Sequence, residues 1–102
     1  MWVLVMFDLP TVTPAEKRAY TKFRKVLLES GFTMLQYSVY ARPCASEEHA
    51  LAQRRSIKRA LPYEGQVRML MLTDKQFGRM QIFVGKQACP VEQQPAQLTF
   101  FE

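Results

Sequence analysis

The fold of this chain is set at its start by residues 2–10, WVLVMFDLP, where an apolar run meets an acidic residue and a proline. The run is rich in valine and aromatic side chains and is bounded by Leu9-Pro10, which predicts a first strand over residues 2–8. A strand with one wet face alternates apolar and polar side chains, and this strand does not alternate before Asp8. The sequence therefore predicts that both faces of the strand are covered.

Capping signals predict two helices after this strand. The sequence TPAE at residues 13–16 combines a capping box with a proline at the first helical position, which predicts a helix over residues 14–30. Gly31 is the expected stop, because glycine adopts the left-handed cap conformation at little steric cost. Ser46 is placed to cap a second helix, which is predicted to end near Leu61 because a proline follows.

The remaining elements are predicted to be strands and one short helical turn. Residues 32–41 are β-prone throughout but long for one strand, so two strands with a break near residues 36–37 are predicted. Residues 66–72 form another nearly continuous apolar strand. A second capping box opens a helical turn over residues 73–80, and residues 81–85 are predicted to be a last core strand.

The order strand, helix, strand, strand, helix, strand, with a further short strand, is that of a ferredoxin-like α+β fold, βαββαβ. Residues 1–86 are predicted to form this domain, and residues 87–102 a C-terminal linker with a short strand or partner-binding tail. Two helices cover one sheet face, which leaves an apolar second face on the strands at 2–8 and 66–72. A second protomer packed sheet to sheet is the economical cover, and a bound aromatic ligand is the less economical one.

Amino-acid composition indicates the class of binding partner and the cellular compartment. A net charge of +5, from 14 Lys+Arg against 9 Asp+Glu, favours polyanionic partners such as nucleic acid. Cys44 and Cys89 are isolated, so they predict neither a metal cluster nor a disulfide framework. The apolar start is too short to cross a bilayer and lacks the features of a signal peptide. A cytoplasmic protein without a membrane partner is therefore predicted.

Basic residues concentrate on the two predicted helices. Residues 14–30 carry five basic and two acidic side chains, and residues 54–59 carry four basic side chains. This imbalance suits contacts with a phosphate backbone, although any surface helix also needs a solvated charged face. The residues predicted to bind nucleic acid are Lys17, Arg18, Lys22, Arg24, Arg54, Arg55, Lys58 and Arg59.

Asp8 ends an apolar strand, where a carboxylate is costly unless it is exposed, paired or bound to a metal. Its position alone favours a turn residue beside Leu9-Pro10. His49 is interpreted as a surface residue, and Ser38 has no histidine or lysine nearby in sequence to act as its base. One carboxylate cannot build a two-metal nuclease site, but two symmetry-related copies of Asp8 in a dimer supply two. Such a pair suits magnesium, which is held by one or two carboxylates and water.

Six segments, taken in order, resemble a known family. They are VLVMFDLPTVT (3–13), YTKFR (20–24), GF (31–32), QYSVY (36–40), GQVR (65–68) and LTDKQF (72–77). Together they resemble the CRISPR-associated Cas2 proteins over about residues 2–86. The type II subgroup, which accompanies the Cas9 effector, is the most similar.

The resemblance implies a ferredoxin-like homodimer with Asp8 as catalytic residue and Mg²⁺ ligand at the dimer interface, shared with Asp8 of the second protomer. It implies a role in spacer acquisition, in which Cas2 bridges two dimers of the Cas1 integrase and supports the DNA fragment. It also implies metal-dependent endonuclease activity on single-stranded RNA or duplex DNA. By the same analogy the tail LTFFE, through Leu98, Phe100 and Phe101, adds to a sheet edge of the other protomer or contacts Cas1.

Three hypotheses remain open on the sequence alone. The first is a magnesium-dependent endonuclease built on Asp8. The second is a non-catalytic scaffold that binds DNA and Cas1 through its basic helices and apolar tail. The third is an unrelated RNA-binding module of ferredoxin-like fold, with stacking rings on its sheet.

Overall fold

A computed structural model describes residues 1–93 of the chain. The strands and helices are β1 (Trp2–Asp8), α1 (Pro14–Glu29), β2 (Thr33–Gln36), β3 (Val39–Pro43), α2 (Glu47–Arg59), β4 (Gln66–Leu72), α3 (Asp74–Gly78), β5 (Ile82–Val84) and β6 (Gln87–Cys89). Strands β1 to β4 form one antiparallel sheet in the order β2-β3-β1-β4. The predicted ferredoxin-like α+β fold is confirmed, with β1 and β3 at the centre of the sheet.

The helix boundaries follow from the predicted capping residues. At the start of α1, Thr13 Oγ1 accepts a hydrogen bond from Glu16 N at 3.1 Å, and Glu16 Oε1 accepts one from Thr13 N at 2.9 Å. At its end, Gly31 has φ +87°, which favours glycine. The Arg42 guanidinium donates to the carbonyl of Ser30 at 2.9 Å, so β3 helps to satisfy the free end of α1.

The first sheet face packs against α1 and α2. Val3, Val5 and Phe7 of β1 point to this face and are buried. The Phe7 ring meets Phe23 of α1 edge-on at 5.2 Å and stacks on Tyr40 of β3 at 5.7 Å. This aromatic contact fixes the end of β1 just before Asp8.

The second sheet face is covered at one end by the chain itself. Trp2 and Leu4 of β1 are buried on this face, and the Trp2 ring stacks on Phe77 of α3 with centroids 3.8 Å apart. Met80 and Val91 pack against the same cluster. The prediction that both faces of β1 are covered is confirmed at Trp2 and Leu4, where α3 supplies cover that the sequence alone assigned to a second protomer, but not at Met6 and Asp8.

The other end of the second face stays open within the described chain. On β4 the pattern of burial alternates, and Gln66, Arg68 and Leu70 are exposed although residues 66–72 are mostly apolar. The expectation that both faces of this strand are covered is therefore not met by residues 1–93. We call the uncovered area the open patch; it consists of Met6, Asp8, Val39, Arg68 and Leu70.

The chain after α3 differs from the prediction. Residues 81–85 were predicted as a core strand, but β5 leaves the main sheet and pairs only with β6, in a separate hairpin. Strong β propensity does not specify the sheet that a strand joins, and Gly85 at φ +63° favours a tight turn. Strand β6 lies within the segment predicted as linker, and the domain boundary at residue 86 stays a prediction.

Two further predictions concern the chain ends and the membrane. The predicted C-terminal strand at residues 98–102 lies outside the described residues. Between residues 1 and 93, none of the helices is long and apolar enough to cross a bilayer.

Candidate functional site around Asp8

Asp8 is exposed at the end of the most deeply buried strand. Its register partner is Gln66 at the start of β4, and the preceding amide, Phe7 N, donates to the carbonyl of Ser38 at 3.1 Å. Because side chains alternate along a strand, Asp8 points to the same face as Leu4. A rigid strand therefore presents this carboxylate at the border of the open patch.

Gly65 holds the start of β4 against Asp8. Its φ is +93°, and a Cβ at this position would lie 2.8 Å from the carbonyl oxygen of Asp8 and 2.6 Å from Leu9 Cδ2. Such distances are too short for ordinary contact, so the close approach of the two strands requires glycine. Gly65 thus sets the position of the Asp8 backbone.

Asp8 is the one acidic side chain of the open patch that could bind a metal ion. Among residues 1–93, no three His, Cys, Asp or Glu side chains group closely enough to hold one. An exposed carboxylate with room for water nevertheless suits Mg²⁺, which prefers oxygen ligands and keeps several waters. One protomer supplies one carboxylate ligand, and a two-fold arrangement of the open patch would supply a second.

The other candidate catalytic side chains do not join Asp8. His49 lies at the start of α2, where its Nδ1 accepts a hydrogen bond from Ala45 N at 3.3 Å, so it helps to cap the helix. Since Trp2 pairs with Pro43 at the end of β3, the start of α2 lies at the sheet end opposite to Asp8. Ser38 sits in a tight turn with φ +62° and is half-buried. Asp8 therefore remains the candidate catalytic side chain of this site.

The predicted basic residues lie on the outer surfaces of α1 and α2. All eight are exposed, and none forms an ion pair with a carboxylate of residues 1–93. The helices cover the face opposite to the one that Asp8 faces, so most of these residues are not brought to it. However, α1 begins and α2 ends at the same sheet end as Asp8. That placement brings Lys17, Lys58 and Arg59 to its end of the molecule.

Arg68 is a basic residue that was not predicted from the sequence. It is exposed on β4, pairs in register with Met6, and therefore shares a face with Asp8. The apolar character of residues 66–72 concealed it, because only the observed alternation shows which side chains face the open patch. Its guanidinium can attract a phosphate to the surface that carries Asp8.

A groove of about 410 Å³ lies beside Asp8, between the loop after β1 and the loop before β4. It was not predicted from the sequence. Its lining includes Leu9, Pro10, Ala19, Tyr20, Tyr63 and Glu64. We call it the tyrosine groove.

Hydrogen bonds and ring contacts order one wall of the tyrosine groove. The backbone N–H of Thr13 beside the Glu16 carboxylate lowers the pKa of Glu16, so this acid stays ionised. Tyr20 stacks on Tyr37 with centroids 6.3 Å apart, and a hydrogen bond with the Tyr20 side chain raises the pKa of Tyr37. The groove wall is therefore anionic and aromatic, in contrast to the basic outer surfaces.

The predicted partner-binding residues Leu98, Phe100 and Phe101 lie outside the described part of the chain. Their role stays a prediction.

Comparison with known proteins agrees with the resemblance noted in the sequence. The family described as CRISPR associated protein Cas2 matches residues 1–80. A protein of Parvibaculum lavamentivorans named CRISPR-associated endoribonuclease Cas2 is 54% identical over 101 residues, covering 99% of this chain and 100% of the relative. A protein of the same name from Flavobacterium psychrophilum is 44% identical, covering 99% of this chain and 88% of the relative.

The fold is also similar to a solved structure. The crystal structure of Streptococcus pyogenes Cas2 aligns with a TM-score of 0.62 and 20% sequence identity, covering 82% of this chain and all of that one. At this identity the likeness supports the fold alone.

Proposed function

The chain belongs to the CRISPR-associated Cas2 family, and from that premise we propose that it is a metal-dependent endoribonuclease whose site is Asp8 in a homodimer. The observation that carries the proposal is the placement of one exposed carboxylate at the end of a buried strand, beside an uncovered apolar patch. The relatives named as endoribonucleases support RNA as the substrate. Duplex DNA is the second substrate to test.

Asp8 is proposed to hold Mg²⁺, with Asp8 of the second protomer as the other ligand. When bound, the ion activates a water molecule and neutralises charge on the phosphate. The carboxylate is carried by a strand whose residues 2–5 and 7 are buried, so its position is fixed before substrate arrives. Arg68, on the same face, is placed to bind a phosphate of the substrate.

The homodimer is supported by the open patch. Leu70 is 48% exposed on the edge strand β4, on the same face as the half-buried Met6 and Val39. Removing exposed apolar side chains from water is favourable, so an uncovered apolar area on a sheet face favours association. Burying its apolar residues, Met6, Val39 and Leu70, against a second copy brings two Asp8 side chains toward one two-fold axis, because an isologous interface repeats each contact. In this arrangement Asp8 and Arg68 line the edge of the interface, where they reach the substrate.

A charge placed in the open patch should dissociate the dimer. Leu70→Glu is expected to shift the mass in solution from twice 11.9 kDa to 11.9 kDa, because a buried unpaired carboxylate is costly. Light scattering measures this directly. Leu28→Glu is the matched control, since Leu28 is 42% exposed on the outer surface of α1. A Leu70→Glu protein that remains dimeric would place the interface elsewhere.

Metal dependence is tested by removing the metal. We expect cleavage of labelled single-stranded RNA in Mg²⁺, loss of cleavage when EDTA is in excess, and recovery when Mg²⁺ is restored, because Asp8 alone cannot activate water. The same assay on duplex DNA decides between the substrates. Cleavage that persists in EDTA contradicts the proposed metal site.

A second candidate function is a non-catalytic scaffold that binds DNA and Cas1 during spacer acquisition. The observation that favours it is the set of eight exposed basic residues with no ion pair to a carboxylate within residues 1–93. Membership in the type II subgroup and a cytoplasmic location stay predictions. The hypothesis of an unrelated RNA-binding module is wrong, because the chain belongs to the Cas2 family.

Scaffold binding predicts a change in salt dependence. Replacing the basic residues of α2 with glutamine should weaken duplex DNA binding and lower the salt slope by about 0.9 for each phosphate that is no longer neutralised. Fluorescence anisotropy at several salt concentrations measures the slope. An unchanged slope excludes α2 as the DNA surface. The variant replaces Arg54, Arg55, Lys58 and Arg59, and a control with the same net charge replaces Lys25, Lys75, Arg79 and Lys86, which are also exposed.

A further inference from the structure

The tyrosine groove has the dimensions and the chemistry of a small-ligand site. Its volume of about 410 Å³ lies in the range of pockets that hold small molecules. Leu9, Pro10 and Ala19 supply an apolar lining, and the Tyr63 ring stands at the rim fully exposed. Leu9 directly follows Asp8, so the groove begins one residue from the proposed metal ligand.

We propose that the tyrosine groove binds one unpaired base of a single-stranded RNA, with Tyr63 stacking on the base and Glu64 accepting a hydrogen bond from its edge. This inference rests on the proposed RNA-cleaving function, whose substrate subsite it defines. It gives the protein a preference for single strands, because a base inside a duplex cannot enter the groove.

The charges of the groove favour a base over a phosphate. Two carboxylates, Glu16 and Glu64, lie in its lining, and no basic side chain does. Glu16 is engaged, since its Oε1 accepts from Val12 N at 3.0 Å and from Thr13 N at 2.9 Å. Glu64 is exposed and makes no hydrogen bond within residues 1–93, so it is free to accept from a base N–H. A carboxylate pairs best with the two adjacent donors of guanine, N1–H and N2–H.

The aromatic side chains continue past the groove. Tyr20 lines the groove and stacks on Tyr37, which is 76% exposed in the turn between β2 and β3. The same turn accepts the hydrogen bond from Phe7 N, so Tyr37 stands on the other side of the strand end that carries Asp8. Successive aromatic rings are how proteins hold single strands without reading a fixed sequence. Tyr20 packs against Phe7 on the face that α1 covers, so a strand held along these rings lies at the same end of the sheet as Asp8, whose side chain points to the other face.

Binding is measured in Asp8→Ala protein with EDTA present, which removes cleavage and metal binding from the readout. The probe is a fluorescein-labelled eight-nucleotide RNA of uridines with one central guanosine. Tyr63→Ala should weaken binding about tenfold, the loss of one stacked base, and Tyr63→Phe should restore it. Phe83→Ala is the matched control, because Phe83 is an exposed ring on the separate hairpin.

The role of Glu64 has its own readout. Replacing the guanosine with inosine, which lacks the N2 donor, should weaken binding to the parent several-fold. The same replacement should have no effect on binding to Glu64→Ala protein, which has no side-chain acceptor at this position. If Tyr63→Ala and Phe83→Ala bind the probe as tightly as the parent, the groove does not hold a base, whether or not the protein cleaves RNA. If the protein cuts nothing and Tyr63→Ala still loses affinity, the base subsite stands and the nuclease proposal fails.

Discussion

Asp8→Ala protein is expected to fold and dimerise as before and to lose Mg²⁺-dependent RNA cleavage by a factor of at least about 100. The side chain is exposed, and within residues 1–93 it forms no ion pair, so its removal should change the free energy of unfolding by no more than about 0.5 kcal/mol. Charge stabilisation by a catalytic metal ion lowers the activation free energy by several kcal/mol, and losing it slows the reaction by this factor.

The experiment compares initial cleavage rates at saturating RNA with thermal unfolding of the same preparations. Asp8→Asn keeps the shape of the side chain and removes its charge. Its cleavage rate should therefore fall as far as that of Asp8→Ala if the carboxylate is a metal ligand. Glu29→Ala removes an exposed carboxylate at the far end of α1 and should leave the rate unchanged. Cleavage at the parent rate by Asp8→Ala would mean that Asp8 is the turn residue that its position alone suggests.

The elements that were predicted correctly are those that depend on neighbouring residues. Helix α1 begins where the capping box at residues 13–16 places it, and it ends one residue before its cap at Ser30, next to Gly31. Strand β4 spans the predicted residues 66–72. These predictions are correct because helix caps and β-rich runs act within a few residues along the chain.

What the sequence did not show depends on contacts between distant residues. The stack of Phe77 on Trp2 covers the second sheet face, and no local pattern pairs those two rings. Likewise, Leu9, Tyr20 and Tyr63 come from three separate segments that only the fold brings into one groove. The sequence Pro62-Tyr63-Glu64-Gly65 marks a turn, but turns are common and this one gave no sign of its neighbours.

Asp8 has both a local feature that the sequence predicts and long-range contacts that it does not. Its place at a strand end was evident from the sequence, while its surroundings were not. The structure adds the open patch, Arg68 on the same face and Gly65 behind the backbone. Of these, Gly65 allows the most direct test of whether the position of Asp8, rather than its presence alone, determines activity.

Gly65→Ala is expected to lower cleavage tenfold or more without removing any functional group. Alanine at φ +93° costs about 1–2 kcal/mol, and the new Cβ would lie 2.8 Å from the Asp8 carbonyl oxygen. Since that neighbour is backbone, β4 and the end of β1 must move apart. A displacement of about 1 Å at a reacting group can cost a hundredfold in rate.

Gly31→Ala separates this effect from simple loss of stability. Gly31 has a similar φ of +87°, but the atoms nearest to its added Cβ, from 3.2 Å, belong to the flexible side chain of Arg42. Both variants should therefore lose a similar backbone contribution to the free energy of unfolding, and only Gly65→Ala should move Asp8. Rates are compared at a temperature where unfolding curves show both proteins fully folded. Equal rates in the two variants would show that the spacing between Gly65 and Asp8 does not matter. A loss confined to Gly65→Ala, with Mg²⁺ needed at higher concentration, would assign that spacing to the placement of the metal ligand.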